Sequence, residues 1–150
     1  MDINQRYTDL ILEYNKDKTN KREMACPTIS EHGHNPSCGD DITVQIKLKD
    51  GLIEDISYTG SGCAISQASA AMMSELVKGG TVDEALRLIR LFLGMIRGQV
   101  TEEEKLEELE AATAFRDISK MPARVKCAVL AWHTLEIALE KEQGKGKGKA

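Results

Sequence analysis

The sequence predicts an α+β fold: a small antiparallel sheet packed against helices in a single domain. Three observations carry that reading. Ile42, Val44, Ile46 and Leu48 alternate with Thr43, Gln45, Lys47 and Lys49, and Asp50-Gly51 then turns the chain into a second apolar run, the pattern of a half-buried hairpin. Apolar residues at helical spacing lie on both sides of this hairpin, most of them after it. A chain of 150 residues has the size of one domain and buries a core. Strands grouped together and helices grouped together, rather than alternating, give the α+β class.

The elements follow in order. Ile3, Tyr7, Leu10, Ile11 and Tyr14 share one face of a first helix. "NKDKTNKRE" is a polar connector, and the segment from there to Cys38, with His32 and His34, reads as loop. The strand at Asp41–Lys49 and its partner "LIEDISY" make the sheet, which "TGSG" ends. From Ala64 to Lys78 a run of small apolar residues makes a helix stopped by Gly79-Gly80. Thr81 with Glu84 is a capping box for a helix reaching about Gly98. Thr101 with Glu104 is a second box, for a shorter acidic helix ending before Phe115. Pro122 suits the first turn of a last helix, in which Ala128, Ala131, Trp132, Leu135, Ala138 and Leu139 form the buried stripe. The domain is expected to be 1–143, with the Gly/Lys segment 144–150 ("GKGKGKA") a disordered tail.

Composition excludes several functions. A net charge of −4 and a pI near 5.5 argue against a protein that works by neutralising phosphates, so no nucleic-acid partner is expected. No apolar run approaches the roughly 18 residues of a membrane span, and "MDINQRYTDL" is too polar for a secretory signal. The expected compartment is the cytoplasm, with no membrane partner. There, four cysteines are metal ligands or reactive thiols more readily than two disulfides.

Three of those cysteines occupy special places. Cys38 sits in a Pro-Ser-Cys-Gly-Asp turn, Cys63 follows "GSG" and opens a helix, and Cys127 lies in the first two turns of the last helix. Free N–H groups and the positive end of the helix dipole favour thiolate over thiol. At 100° per residue Cys127 falls about 90° from the centre of its apolar stripe, at the rim. Asp40 is two residues from Cys38, so both side chains can reach one ion; the alternative is a turn former bonding its own backbone. The residues alone therefore allow a three-thiolate metal site with Asp40 as fourth ligand. His133 is about 9 Å along the axis from Cys127 and on another face, so a surface role is expected. His32 and His34 read as solvated loop histidines able to swing in as substitute ligands, and Cys26, before Pro27, as structural or incidental.

"NPSCGDDI", "GSGCAISQASAAMM" and "MPARVKCAVLAW" together resemble the IscU/SufU-like (NifU N-terminal-like) proteins of iron–sulfur cluster assembly, over nearly the whole chain. The resemblance implies Cys38, Asp40, Cys63 and Cys127 as ligands. Lys126 stands where IscU scaffolds have histidine. That departure, an insertion between the second and third cysteines, and Arg124 make the chain look more like the SufU branch. It further implies a pyridoxal-phosphate cysteine desulfurase as donor of persulfide sulfur, Cys38 or Cys127 as acceptor, and a [2Fe–2S] cluster passed to apo iron–sulfur acceptor proteins. The resemblance covers both cluster building and sulfur relay; the scaffold and sulfur acceptor, which is not an enzyme's role, is the favoured reading. The alternatives are a zinc-dependent sulfurtransferase using the same four residues with Zn²⁺, and a structural zinc interaction domain. Three thiolates and a carboxylate around Zn²⁺ or an oxidised [2Fe–2S] core leave a charge of about −2, which Arg124 and Lys126 would offset.

Overall fold

The computed structural model describes residues 3–36 and 39–148, with the side chains of 3–7, 119 and 145–148 outside the description. Helix α1 (Ile3–Lys16) precedes strands β1 (Ile29–Asn35), β2 (Asp40–Lys49) and β3 (Leu52–Ser61); helices α2 (Ala64–Val77), α3 (Val82–Ile96), α4 (Glu103–Leu106) and α5 (Pro122–Gly148) follow. The sheet is antiparallel in the order β1-β2-β3. This is the α+β architecture that the pattern of apolar residues predicts.

The hairpin forms where the alternation placed it. Asp50 and Gly51 both take positive φ, 54° and 78°, the pair of left-handed residues a two-residue turn needs to match strand twist. Ile42, Val44 and Ile46 are wholly buried against the helices. Strand β1 was not foreseen, because Ile29 is its one large apolar residue. It pairs along its length with β2, Ile29 opposite Ile46 through Asn35 opposite Asp40. Its inward face carries Gly33, where an added Cβ would collide with Thr134 Oγ1 and meet Leu130 Cδ1 at 3.3 Å. Helix α5 thus lies so close that only glycine fits beneath it.

Helix α2 is buried on nearly every side, as expected of a central helix rich in small residues. Thr81 caps α3 as the box requires, its Oγ1 accepting the Glu84 N–H at 3.0 Å. The second box does not form. Glu102 takes the cap position of α4 without a side-chain hydrogen bond, and the chain continues as 3₁₀ turns over Glu107–Phe115, interrupted at Glu110 with φ 51°. The reason is legible: Leu106, Leu109, Ala112 and Phe115, all buried, recur every third residue, the repeat of a 3₁₀ helix and not of an α-helix.

Every residue of the stripe predicted for α5 is buried. The helix continues to Gly148, into the segment expected to be a disordered tail. Trp132 stacks on Phe92 with ring centroids 3.9 Å apart, and Phe115 meets Phe92 edge-on. The indole Nε1–H of Trp132 donates to Ser69 Oγ at 2.8 Å, and the Ser69 hydroxyl donates to Ala128 O at 2.6 Å. This relay ties α2 to α5 through the core. Ser69→Ala strands a buried indole N–H, so a loss of about 1–3 kcal/mol is expected, read by urea denaturation. Among the described residues no helix is long and apolar enough to cross a membrane.

Candidate metal centre

Three elements end at one place. Asp40 opens β2, Cys63 is the residue that caps α2, and Cys127 stands in the second turn of α5. One ligand atom from each lies within 4.8 Å of the others. The arrangement is fixed from several sides. Asp40 Oδ1 accepts the Cys63 backbone N–H at 3.0 Å, and its Oδ2 lies 4.0 Å from Cys63 Sγ. The Ser66 hydroxyl donates to Cys63 O at 3.0 Å and tightens the first turn of α2. A Cβ at Gly62 would collide with Ser66 Oγ and stand 2.8 Å from Asp40 Oδ1, so glycine there is what admits the carboxylate. Sequence reasoning missed Gly62 and Ser66; the "GSG" before Cys63 was the available signal.

Two expectations change. Asp40, placed by the sequence in the turn ahead of the strand, is instead the first residue of β2 and fully buried, with its side chain turned inward beside the start of α2. Cys127, expected at the rim of its stripe, is 6% exposed, since Asp40 and Cys63 cover that rim. Cys63 is exposed, so the centre opens to solvent on its side. Ser37 and Cys38 lie outside the described residues, and with them the assignment of Cys38 as ligand and sulfur acceptor.

The remaining candidates are distributed elsewhere. Cys26 is an exposed free thiol and is not in the cluster. His32 and His34 belong to β1 and lie on its exposed face, where strand pairing holds their backbone; neither joins the thiols. His133 is 3.6 Å from Glu136 on α5, a surface pair as expected. Arg124 and Lys126 are exposed. Arg124, Thr8, Ile11, Leu12, Ala64 and Ile65 line a groove of about 300 Å³ that opens on Cys63. The contribution of α1 to this wall was not visible in its sequence, since Leu12 stands outside the helix's apolar stripe and is half exposed.

The donor set fits a thiophilic ion. Zinc takes thiolate and carboxylate ligands in a tetrahedron, and metal–sulfur bonds near 2.3 Å place neighbouring sulfurs roughly 3.8 Å apart. Ligand atoms within 4.8 Å reach that spacing by small rotations. Iron–sulfur clusters likewise draw on thiolates with an occasional different ligand.

Fold and centre together are those of a protein able to hold a metal ion between cysteines and a carboxylate. Residues 6–149 match the family described as NifU-like N terminal domain, and the chain belongs to it. It is 43% identical over 135 residues to the iron-sulfur cluster assembly scaffold protein IscU of Thermotoga maritima, covering 90% of this chain and 93% of that one. It is 36% identical over 138 residues to the zinc-dependent sulfurtransferase SufU of Bacillus subtilis, covering 92% of each. The crystal structure of the SUF-system protein SufU from Fervidobacterium islandicum AW-1 superposes with a TM-score of 0.83 at 37% identity, over 90% of this chain and 97% of that one.

Proposed function

We propose that this protein receives sulfur from a pyridoxal-phosphate cysteine desulfurase and assembles a [2Fe–2S] cluster on Cys38, Asp40, Cys63 and Cys127, for transfer to apo acceptor proteins in the cytoplasm. The convergence of Asp40, Cys63 and Cys127 is the observation that carries this reading. The unit 1–143 contains every ligand position. The second reading, zinc-bound sulfur relay, uses the same residues and is favoured by the fit of the cluster to a single tetrahedral ion.

In either reading the chain's own groups divide the work. Cys127 and Cys63 are soft anchors, one buried and one exposed. Asp40 is a harder and more exchangeable donor for a sulfur-rich site, and its second hydrogen-bonding task keeps Cys63 in place. In sulfur delivery a thiolate attacks the terminal sulfur of the donor's persulfide, a new S–S bond forms, the donor's S–S bond breaks, and the donor leaves as thiolate. Attack requires access, and burial of Cys127 supports Cys38 as the acceptor. Arg124, at the mouth beside Cys63, offsets the negative charge of the loaded centre.

Anaerobic reconstitution with iron, cysteine and a desulfurase tests the proposal. Stable visible absorption bands are the expected result. Tightly held zinc with stimulation of the desulfurase would establish the relay instead, and loss of fold on chelation a structural zinc domain. Mass mapping after one desulfurase turnover is expected to place the added sulfur on Cys38; an adduct on Cys26 alone overturns the assignment.

A further inference from the structure

We propose that His32, His34 and Asp41 form a second metal site, on the outer face of the sheet, that takes a divalent first-row transition ion. The two histidines are alternate residues of β1 and both are exposed, so strand geometry turns them to the same side. Their rings lie nearly parallel with centroids 6.4 Å apart. Asp41 is the register partner of His34 on β2, yet its Oδ1 lies 2.8 Å from Nε2 of His32. The carboxylate therefore touches the His32 imidazole and belongs to the residue across the strand pair from His34; ring rotation is needed to gather all three donors, which are less tightly grouped than those of the thiol centre. Side chains of His32 and Asp41 are 57% and 49% exposed, so no packing prevents the rings from turning inward onto a shared ion. Among the described residues the side-chain contact of Asp41 is with His32, and no lysine or arginine bridges to it.

Two imidazoles and one carboxylate with open positions suit ferrous iron, cobalt, nickel or zinc. Calcium and magnesium prefer all-oxygen shells, so the site discriminates against them. It is also separate from the thiol centre. Asp40 and Asp41 are consecutive residues of one strand and so face opposite sides. Asp40 is buried in the thiol centre, and Asp41 serves the histidines on the outside. The pleat of β2 thus sets a nitrogen–oxygen site and a sulfur site back to back. That the outer site holds ferrous iron beside a place of cluster assembly rests on the function proposed above; the existence of the site does not.

Titration of the reduced full-length protein with cobalt(II) under anaerobic conditions tests it. Thiolate-to-cobalt charge-transfer absorption reports the cysteine centre, and paramagnetic shifts of the imidazole protons report the outer site. Two equivalents are expected to bind, with His32 and His34 shifted and His133 unaffected. His34→Ala should weaken the second equivalent by more than about tenfold, the lower end of what is lost when even a ligand's supporting partner is removed, and leave the charge-transfer band unchanged. Asp41→Asn should weaken it in the same direction. Absence of the imidazole shifts in the unaltered chain, or unaltered affinity in His34→Ala, overturns the proposal. Loss of the charge-transfer band alone, with the imidazole shifts retained, overturns the thiol centre and leaves the outer site standing.

Discussion

Cys63→Ser is expected to abolish metal retention without weakening the fold. Cys63 caps α2 from an extended backbone but its side chain makes no capping hydrogen bond. Serine is among the preferred residues at that position and gains about 0.5–2 kcal/mol over residues that cannot cap. The helix end is therefore as good or better, while a thiolate ligand is lost from a set of three described ligands. Cys127→Ser removes a second thiolate and is expected to empty the centre as well. It also places a hydroxyl where 6% of the residue is exposed, beside Ala123 O, which lies 3.9 Å from Sγ. Its fold stability should fall below that of Cys63→Ser. Cys26→Ser, altering an exposed thiol outside the cluster, keeps the metal. Metal analysis of the purified variants, paired with thermal melts, separates these outcomes. Equal metal loss in all three variants, or full retention in Cys63→Ser, would sink the assignment.

Asp40→Ala is expected to damage both fold and cargo release. The carboxylate is fully buried and accepts the Cys63 N–H at 3.0 Å. Its removal leaves that donor without its partner at the start of α2, a loss of about 1–3 kcal/mol. For a chain of this length that is a fall in melting temperature of about 3–10 °C. Asp40→Asn keeps an acceptor oxygen in the same place and removes a buried charge, so its melting temperature is not expected to fall. The two variants share a different defect. Both lose the one anionic oxygen donor among the described ligands, and both should hold a reconstituted cluster longer and pass it more slowly to an apo acceptor. In zinc relay both should retain zinc but exchange ligands more slowly. Absorption decay in the presence of an acceptor measures the first effect and calorimetry the second. An Asp40→Ala protein that melts and transfers like the unaltered chain would leave Asp40 with neither role.

The contrast between these two sites shows what was legible beforehand. Cys63 was readable as a ligand because a thiol at a helix start, after "GSG", is a local arrangement. Asp40 was readable as a neighbour of Cys38 but not as a buried residue, because its burial depends on α2 and α5 closing over the first residue of β2. Strand β1 escaped notice for the same reason. Its inward positions are Ile29, Glu31, Gly33 and Asn35, which no alternation rule identifies. Glu31 is covered because Lys141 of α5 reaches it at 2.9 Å, and Gly33 because Thr134 leaves no room for more. By contrast, the Thr101 cap failed on evidence that was in the sequence, a threefold apolar repeat from Leu106 to Phe115 that favours 3₁₀ turns.

The sequence by itself determined the hairpin, the capped start of α3, the stripe of α5 and the residue types able to hold a thiophilic ion. Each of these depends on neighbours within a few positions, where periodicity and capping chemistry act. Only the tertiary structure decided that Asp40, Cys63 and Cys127 share one point, that Asp41 meets His32 on the other face of the sheet, and that β2 divides the two. The first joins residues distant along the chain, and the second depends on a strand pairing that apolar alternation does not reveal. They come from packing of β2, α2 and α5 and from strand register, and composition and spacing hold no record of either.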